Sequence, residues 1–401
     1  MRVLITKTII FLKLFGFKKL IMKIIRVILM KDKLNLKTNN IVSLYSFAHK
    51  CDNIKIIKNY HDENSINWFI PPFNKGSGGH MTIFRFIEKF ISSGYNCRLI
   101  IVGYPQPVSS DHSKEIIVKY FLPLNCEVYL ENDPIPEAKI SIATSWQTAY
   151  YVRDINSKIK YYFVQDYEPY FYSHGSDYYW AEATYKFGFK GITAGDWLKK
   201  KLYYEYGMET ISFKFSYDKD STNKLNIKRN PNKILFYARP PTQRRGFELG
   251  VMAINELLKI KNNLEIIFLG WDVSTYTIPF KHKSLGIVPH DKLYSIYHEC
   301  NFGLVLSFTN LSLLPVELMA SGVIVISNKG ENNEWFLNDN NSVLVEPSVQ
   351  DIVNGFLSII DDEEKQIQIR EEGFRSSLNT NWNDEIQQVI NRIEDNKVIV
   401  K

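Results

Sequence analysis

Cysteine is scarce in this chain: four residues, at positions 51, 97, 126 and 300, with no CxxC pair among them. That scatter excludes a disulfide framework and a structural zinc site, and it points to a reducing, cytosolic setting. Long hydrophobic runs are missing too. Lysines at 7, 13, 18, 19 and 23 interrupt the apolar start before any run reaches the roughly 18–20 residues that cross a bilayer. They also break the apolar core that a signal peptide needs, and no small-residue cleavage site follows. The sequence has no GxGxxG spacing, no GK[ST] and no Gly-x-Ser-x-Gly elbow, which argues against a dinucleotide site, a P-loop and an esterase-type nucleophile. No His, Cys, Asp or Glu cluster has ligand spacing, so no metal is expected. There is no tandem repeat.

Aromatic residues, by contrast, are plentiful. They make up 14% of the 401 residues, with 24 Tyr and 25 Phe, enough to line a site for flat or ring-shaped ligands as well as two cores. Net charge is +6, but residues 1–33 carry nine Lys/Arg against Asp32 alone. The rest of the chain is therefore near neutral, and nucleic-acid binding by the body is not expected. Lys19, Lys23 and Arg26 share one helical face. Residues 1–33 read either as an in-plane helix contacting an anionic membrane surface or as a plain N-terminal extension.

From Ile66 onward, short apolar runs alternate with helical periodicity. Strands are expected at 66–70, 97–102, 127–130, 138–143, 160–164 and 191–194, with helices after Gly79 and over 196–206. A polar stretch without periodicity, 217–233, marks a boundary. Strands at 234–237, 264–269, 302–306, 323–327 and 343–345 then alternate with helices at 247–259, 291–299 and 351–360. The helix at 247–259 is expected to turn Leu249, Met252, Ala253 and Leu257 inward. The fold class is α/β: two Rossmann-like parallel-sheet domains facing a central cleft. The expected division is a basic amphipathic segment at 1–40, domains at 41–225 and 226–375, and a C-terminal helix at 376–401.

Four stretches carry the chemistry. Gly76-Ser77-Gly78-Gly79-His80 follows a strand and opens a helix, the context in which a Gly-rich turn approaches an anion; a plain tight turn is the alternative. Arg239, Arg244 and Arg245 follow the first strand of the second domain, at a strand's carboxyl end, where guanidinium groups pair with phosphate. The loop Ser307–Ser312 leads through Leu313 and Leu314 to Pro315 and Glu317, a loop-to-helix cradle with one carboxylate. In Gln165-Asp166-Tyr167-Glu168-Pro169-Tyr170, acids and aromatic faces suit sugar hydroxyls and pyranose rings, or else belong to an aromatic core. Glu182 fits the same two readings. Asp218-Lys219-Asp220 reads as a solvated charge run.

Taken together, IPPFNKGSGGHMTIFRF (70–86), ATSWQTAYYV (143–152), the aromatic stretch 162–195, ILFYARPPTQRRGFELG (234–250) and LSLLPVELMASG (311–322) resemble the GT-B glycosyltransferases of retaining family 4. More narrowly, they resemble the WsaF-type rhamnosyltransferases. The resemblance covers about residues 66–360. It implies a nucleotide-sugar donor, dTDP-L-rhamnose, in the second domain and a saccharide or lipid-linked glycan acceptor in the first, with retention, no metal and no cofactor.

Arg239 matches the family's phosphate-gripping arginine, and Arg245 stands for its lysine, one residue late. Glu317 matches the second Glu of a Glu-x7-Glu pair and is expected on the donor's ribose, while the first Glu is replaced by Thr309. Arg239, Arg245 and Glu317 are thus the expected catalytic residues. Gly78, Gly79, Arg244, Thr309, Ser312, Leu313 and Leu314 complete the donor site, and His80, Gln165, Asp166, Glu168, Tyr170 and Glu182 form the acceptor side. The setting implied is surface polysaccharide or O-antigen assembly at the cytoplasmic face of the inner membrane. Two rivals stay open: a sugar-nucleotide epimerase on the same fold, and a non-catalytic binding partner of a synthase complex.

Overall fold

The computed structural model describes residues 41–49, 51, 54–57, 62–74, 76–218 and 229–399. The chain divides into two compact units, Met1–Asp52 and Asn53–Lys401. In the first unit one helix is described, α1 (Ile41–His49). The basic segment 1–33 lies outside the described residues.

The second unit holds two lobes. The first lobe begins with β1 (Lys55–Ile57), β2 (Ser65–Ile70), α2 (Gly78–Ser92), β3 (Asn96–Ile101), α3 (Ser110–Tyr120), β4 (Glu127–Leu130) and β5 (Pro134–Pro136). It continues through β6 (Ile140–Ala143), α4 (Trp146–Asp154), β7 (Ile159–Val164), α5 (Ser176–Ala183), β8 (Lys190–Ala194), α6 (Asp196–Tyr206) and β9 (Thr210–Phe213). Among the described residues these form a seven-stranded parallel sheet, β4-β3-β2-β6-β7-β8-β9, and a small β1-β5 pair.

The second lobe comprises β10 (Asn230–Tyr237), α7 (Phe247–Ile260), β11 (Glu265–Leu269), β12 (Lys283–Gly286), α8 (His290–Glu299) and β13 (Cys300–Leu304). It closes with α9 (Leu314–Ala320), β14 (Ile324–Asn328), α10 (Glu331–Glu334), β15 (Val343–Val345), α11 (Val349–Leu357), α12 (Glu363–Leu378) and α13 (Trp382–Ile399). Its parallel sheet runs β12-β11-β10-β13-β14-β15.

The strands are apolar runs because helices cover both faces of each sheet. The period of two shows in the second lobe: Ile234, Phe236, Ile266, Phe268, Phe302, Ile324 and Ile326 pack on one face, and Leu235, Ile267, Leu269 and Val325 on the other. Helix α13 does not stay with the second lobe. It returns to the first, where Tyr95 OH donates to Glu394 (3.3 Å), Glu385 accepts from Lys214 N (2.8 Å) and Trp382 lies under the Arg85 guanidinium (5.1 Å). No described helix is long and apolar enough to cross a membrane.

Several expectations need correction. Met252 is 59% exposed; the buried stripe of α7 is Phe247, Gly250, Ala253, Ile254 and Leu257, and Met252 falls on the opposite side. Strand β10 starts at Asn230, inside the stretch read as linker. Ahead of the first expected strand at 66–70 lie α1 and β1, which were not expected. The charged helices α3 and α12 and the half-exposed edge strand β12 carry too few apolar residues to signal themselves.

Candidate functional site

In each sheet the chain reverses its direction of build at one place: between β2 and β6 in the first lobe, and between β10 and β13 in the second. Loops leaving neighbouring strands diverge there and open a crevice at the carboxyl ends. The sequence-predicted residues lie on the turn after β2 and the start of α2, the stretch from β7 into α5, the loop after β10, and the loop from β13 into α9.

The second lobe sets Arg239, Arg244 and Arg245 just beyond β10. Arg239 is partly exposed, and its one described side-chain partner is Tyr237 OH at 3.4 Å. Arg244 stacks on Phe171 of the first lobe (3.8 Å), lies 3.4 Å from Asp166, and keeps 25% of its side chain exposed. Arg245 has a different task from the one expected of it. Its side chain is 11% exposed and donates to Ser307 Oγ (2.6 Å) and Asn310 O (3.4 Å), so it holds the 307–310 loop. Ser312 Oγ is buried with no described partner. Leu313 and Leu314 lead into α9, which is seven residues long with Pro315 in its first turn.

Glu317, on α9, is 6% exposed. Its Oε2 accepts from Tyr297 OH at 3.1 Å, and His290 Nε2 lies 3.9 Å from Oε1. Burial raises its pKa to about 7, against the pull of Arg85 and the Tyr297 hydrogen bond.

The first-lobe residues divide sharply. Tyr170 is 46% exposed. Gly78 and Gly79 are exposed at the start of α2; Gly79 O accepts from Gln165 Nε2 at 3.0 Å, and a side chain at Gly78 would meet nothing. The glycine this turn requires is Gly76, with φ +80° and Ile287 of the second lobe only 2.9 Å from where a Cβ would stand. His80 is held between Ser77 Oγ (2.8 Å) and Pro71 O (3.3 Å). Burial lowers its pKa to about 4, so the ring is neutral near pH 7 and serves the start of α2.

Asp166, Glu168 and Glu182, expected to meet an acceptor, are instead committed to protein partners. Glu168 accepts from Trp146 N (2.7 Å) and Tyr162 OH (3.0 Å), and burial raises its pKa to about 7. Glu182 accepts from Tyr206 OH (3.1 Å), which is itself bonded to Tyr167 OH.

Asp166 joins the lobes. Its Oδ1 accepts from Asn310 N (2.8 Å) and Tyr167 N (2.9 Å), and its Oδ2 accepts from Thr309 Oγ1 (2.9 Å). Asn310 completes the joint: fully buried, it donates to Gln165 O (2.9 Å) and Ala194 O (2.7 Å) and accepts from Trp335 Nε1 (3.1 Å). Next to it, Gly195 has φ +84°, and the Trp335 ring comes within 2.5 Å of the place a Cβ would occupy. Any side chain at 195 would part the lobes here.

Reading the sequence missed two groups. One is a charged cluster at the lobe junction. Arg85 Nη2 donates to both oxygens of Asp218 (2.8 and 2.7 Å), and His290 Nε2 is 3.3 Å from Asp218 and 3.9 Å from Glu317. Asp218 is thus no solvated charge; the partners that claim it come from helices far away in sequence. Lys219 and Asp220 lie outside the described residues. The second is an open cavity of about 510 Å³, walled by Tyr170, Tyr172, His174 and Tyr178 of the first lobe and by Gln243, Arg244, Phe308 and Thr309 of the second. The density of aromatics in 161–172 was its sequence signal. Among the described residues no three His, Cys, Asp or Glu side chains are placed to hold a metal ion.

Residues 232–357 match the family described as WsaF, C-terminal domain. The O-antigen biosynthesis protein RfbC of Myxococcus xanthus is 30% identical over 336 residues, which is 80% of this chain and 26% of that protein. The chain thus spans about a quarter of that relative's length. Among solved structures, the sucrose-phosphate synthase of Thermosynechococcus elongatus superposes with a TM-score of 0.65 at 12% identity, covering 84% of this chain and 100% of its own. Anabaena HepE in complex with UDP and glucose gives 0.64 at 13%, covering 82% and 99%. Likeness at this level of identity establishes the two-lobed fold.

Proposed function

We propose that the chain is a glycosyltransferase of O-antigen or related surface-polysaccharide assembly; the match of residues 232–357 to the WsaF C-terminal domain and the GT-B frame of the two lobes support this reading. The chain moves L-rhamnose from dTDP-L-rhamnose to a saccharide or lipid-linked glycan. One observation carries the reading: Arg239 and Arg244 stand beyond β10, and Glu317 beyond the adjacent β13, at the switch point of the donor-side sheet. Cations suited to a diphosphate and a carboxylate suited to a ribose thus both follow strands at this switch point, which supports the reading. The relative in O-antigen biosynthesis and the UDP-bound neighbour support the substrate class; the WsaF resemblance supports the sugar.

In this reading the bond between the anomeric carbon and the β-phosphate oxygen breaks and its electron pair goes to the diphosphate. Arg239, Arg244 and the amides near Ser312 and Leu313 stabilise the charge that develops there. Arg245 acts at one remove, by fixing the 307–310 loop. An acceptor hydroxyl attacks from the same face, and its proton passes to the leaving phosphate, which gives retention. The aromatic cavity beside Arg244 supplies ring faces for the acceptor. Residues 1–33, basic and apolar by turns, suit a peripheral hold on an anionic leaflet.

The epimerase alternative has one observation in its favour, the His290, Asp218 and Glu317 cluster. Incubation with dTDP-L-rhamnose, with and without a lipid-linked saccharide, tests both. Rhamnosyl transfer that requires the acceptor is expected. An epimerised sugar in the absence of acceptor, or no binding of any nucleoside diphosphate, would overturn the reading.

A further inference from the structure

We infer that Tyr297 makes the site selective for 2′-deoxyribonucleotide donors, by occupying the oxygen of Glu317 that a ribose 2′-hydroxyl would need. The inference rests on the proposed role of Glu317 at the donor's ribose. A carboxylate facing a ribose has two oxygens for the 2′,3′-diol, one hydroxyl to each. Here Tyr297 OH, at 3.1 Å, already fills one of the two lone-pair sites of Oε2. Tyr297 is 1% exposed and comes from α8, beneath α9. Burial and the adjacent Glu317 hold its phenol protonated, its pKa well above the ordinary value, so it stays a donor.

Swinging Tyr297 away would strand its hydroxyl in the core. Among the described residues Oε1 accepts no hydrogen bond, and His290 Nε2 at 3.9 Å is beyond reach of one. One free carboxylate oxygen serves one hydroxyl, the 3′-OH of a deoxyribose. A 2′-hydroxyl would lose its hydration to enter the wall formed by Glu317 and Tyr297, and would find there only an oxygen it must share with the Tyr297 hydroxyl, a weaker and more crowded acceptor than Oε1.

The test is equilibrium binding of four probes: dTDP, dUDP, UDP and 5-methyl-UDP. Comparing dUDP with UDP, and dTDP with 5-methyl-UDP, isolates the 2′-hydroxyl from the base. The wild type is expected to favour the deoxy member of each pair by about tenfold, the worth of one hydrogen bond. Tyr297→Phe, which keeps the ring and frees Oε2, is expected to bring both ratios to about one, with dUDP affinity held within about twofold. Equal or tighter binding of the ribonucleotides by the wild type would overturn the inference and leave the donor site standing. So would ratios unchanged in Tyr297→Phe. Failure of all four probes to bind would overturn the donor reading itself. Should Tyr297→Phe not fold, the wild-type ratios alone decide.

Discussion

Position 309 offers the sharpest test of how the lobes are joined. Thr309 Oγ1 donates to Asp166 Oδ2 at 2.9 Å, and both residues are buried. Thr309→Val keeps the shape and removes the donor. A buried hydrogen bond to a charged group is worth about 1.5–3 kcal/mol, and that is the expected loss of stability. Thr309→Glu, which would restore the paired-glutamate pattern, does something worse. It sets a second carboxylate against Asp166, and two like charges about 4 Å apart repel by about 4 kcal/mol at the effective dielectric of a protein. Arg244 and Arg245, 3.4 and 3.9 Å from Asp166, offset part of this.

The remaining repulsion is shed when one carboxyl binds a proton. The deficit of Thr309→Glu should therefore be large near pH 8 and shrink toward pH 5, whereas that of Thr309→Val should stay constant relative to wild type. Urea denaturation of the three proteins at both pH values measures this. A Thr309→Glu protein as stable as wild type at pH 8 would refute the account of the joint.

Three further outcomes are expected. Arg239→Ala and Arg244→Ala should each weaken dTDP binding about 10- to 100-fold, one charge-assisted contact apiece, whereas Arg245→Ala should chiefly lower the denaturation midpoint; calorimetry and denaturation separate the two. Donor affinity should fall as pH drops below about 7, because Glu317 then binds a proton and stops accepting the ribose hydroxyl. The groups facing it are Arg85 from α2, Asp218 from the lobe junction, and His290, Tyr294 and Tyr297 from α8; titration calorimetry on wild type and Glu317→Gln, which should lose the dependence, checks it. Glu168 binds its proton more tightly folded, at about 7, than unfolded, at 4.5. Its contribution to stability is therefore present below about pH 4.5 and lost as pH rises through 7, about 3 kcal/mol in all. Glu168→Gln should remove that slope from a stability–pH series.

The inner strands were legible because they are buried on both faces and read as continuous apolar runs; 66–70 was placed within a residue, and the partly exposed 127–130 and 343–345 were still marked by their apolar residues. The positions of Arg239, Arg244 and Glu317 after neighbouring strands were legible because apolar runs marked those strands and their ends. What could not be read was the joint. Asn310 meets Gln165 O and Ala194 O across 145 and 116 residues, and Asp218 meets Arg85 across 133. No local pattern marks such partners. Asp166 and Glu168 were legible as acids beside aromatics but not as buried ones, because burial is decided by chains that arrive later. Arg245 was misjudged for the same reason: its neighbour Ser307 belongs to another strand's loop.

The joint at Asn310, Gly195 and Trp335 has a bearing on how the molecule breathes. Elements packed backbone to ring, with a fully bonded amide at the centre, behave as a pivot. Any rocking of one lobe on the other turns about this point, so the floor of the crevice scarcely changes while its outer rims travel furthest. The Gly76 turn, lying against Ile287 on the opposite rim, would part first and meet last. On the proposed function, entry of a nucleotide and exit of a glycan would be gated at the rim, while the groups at the floor of the crevice hold their spacing.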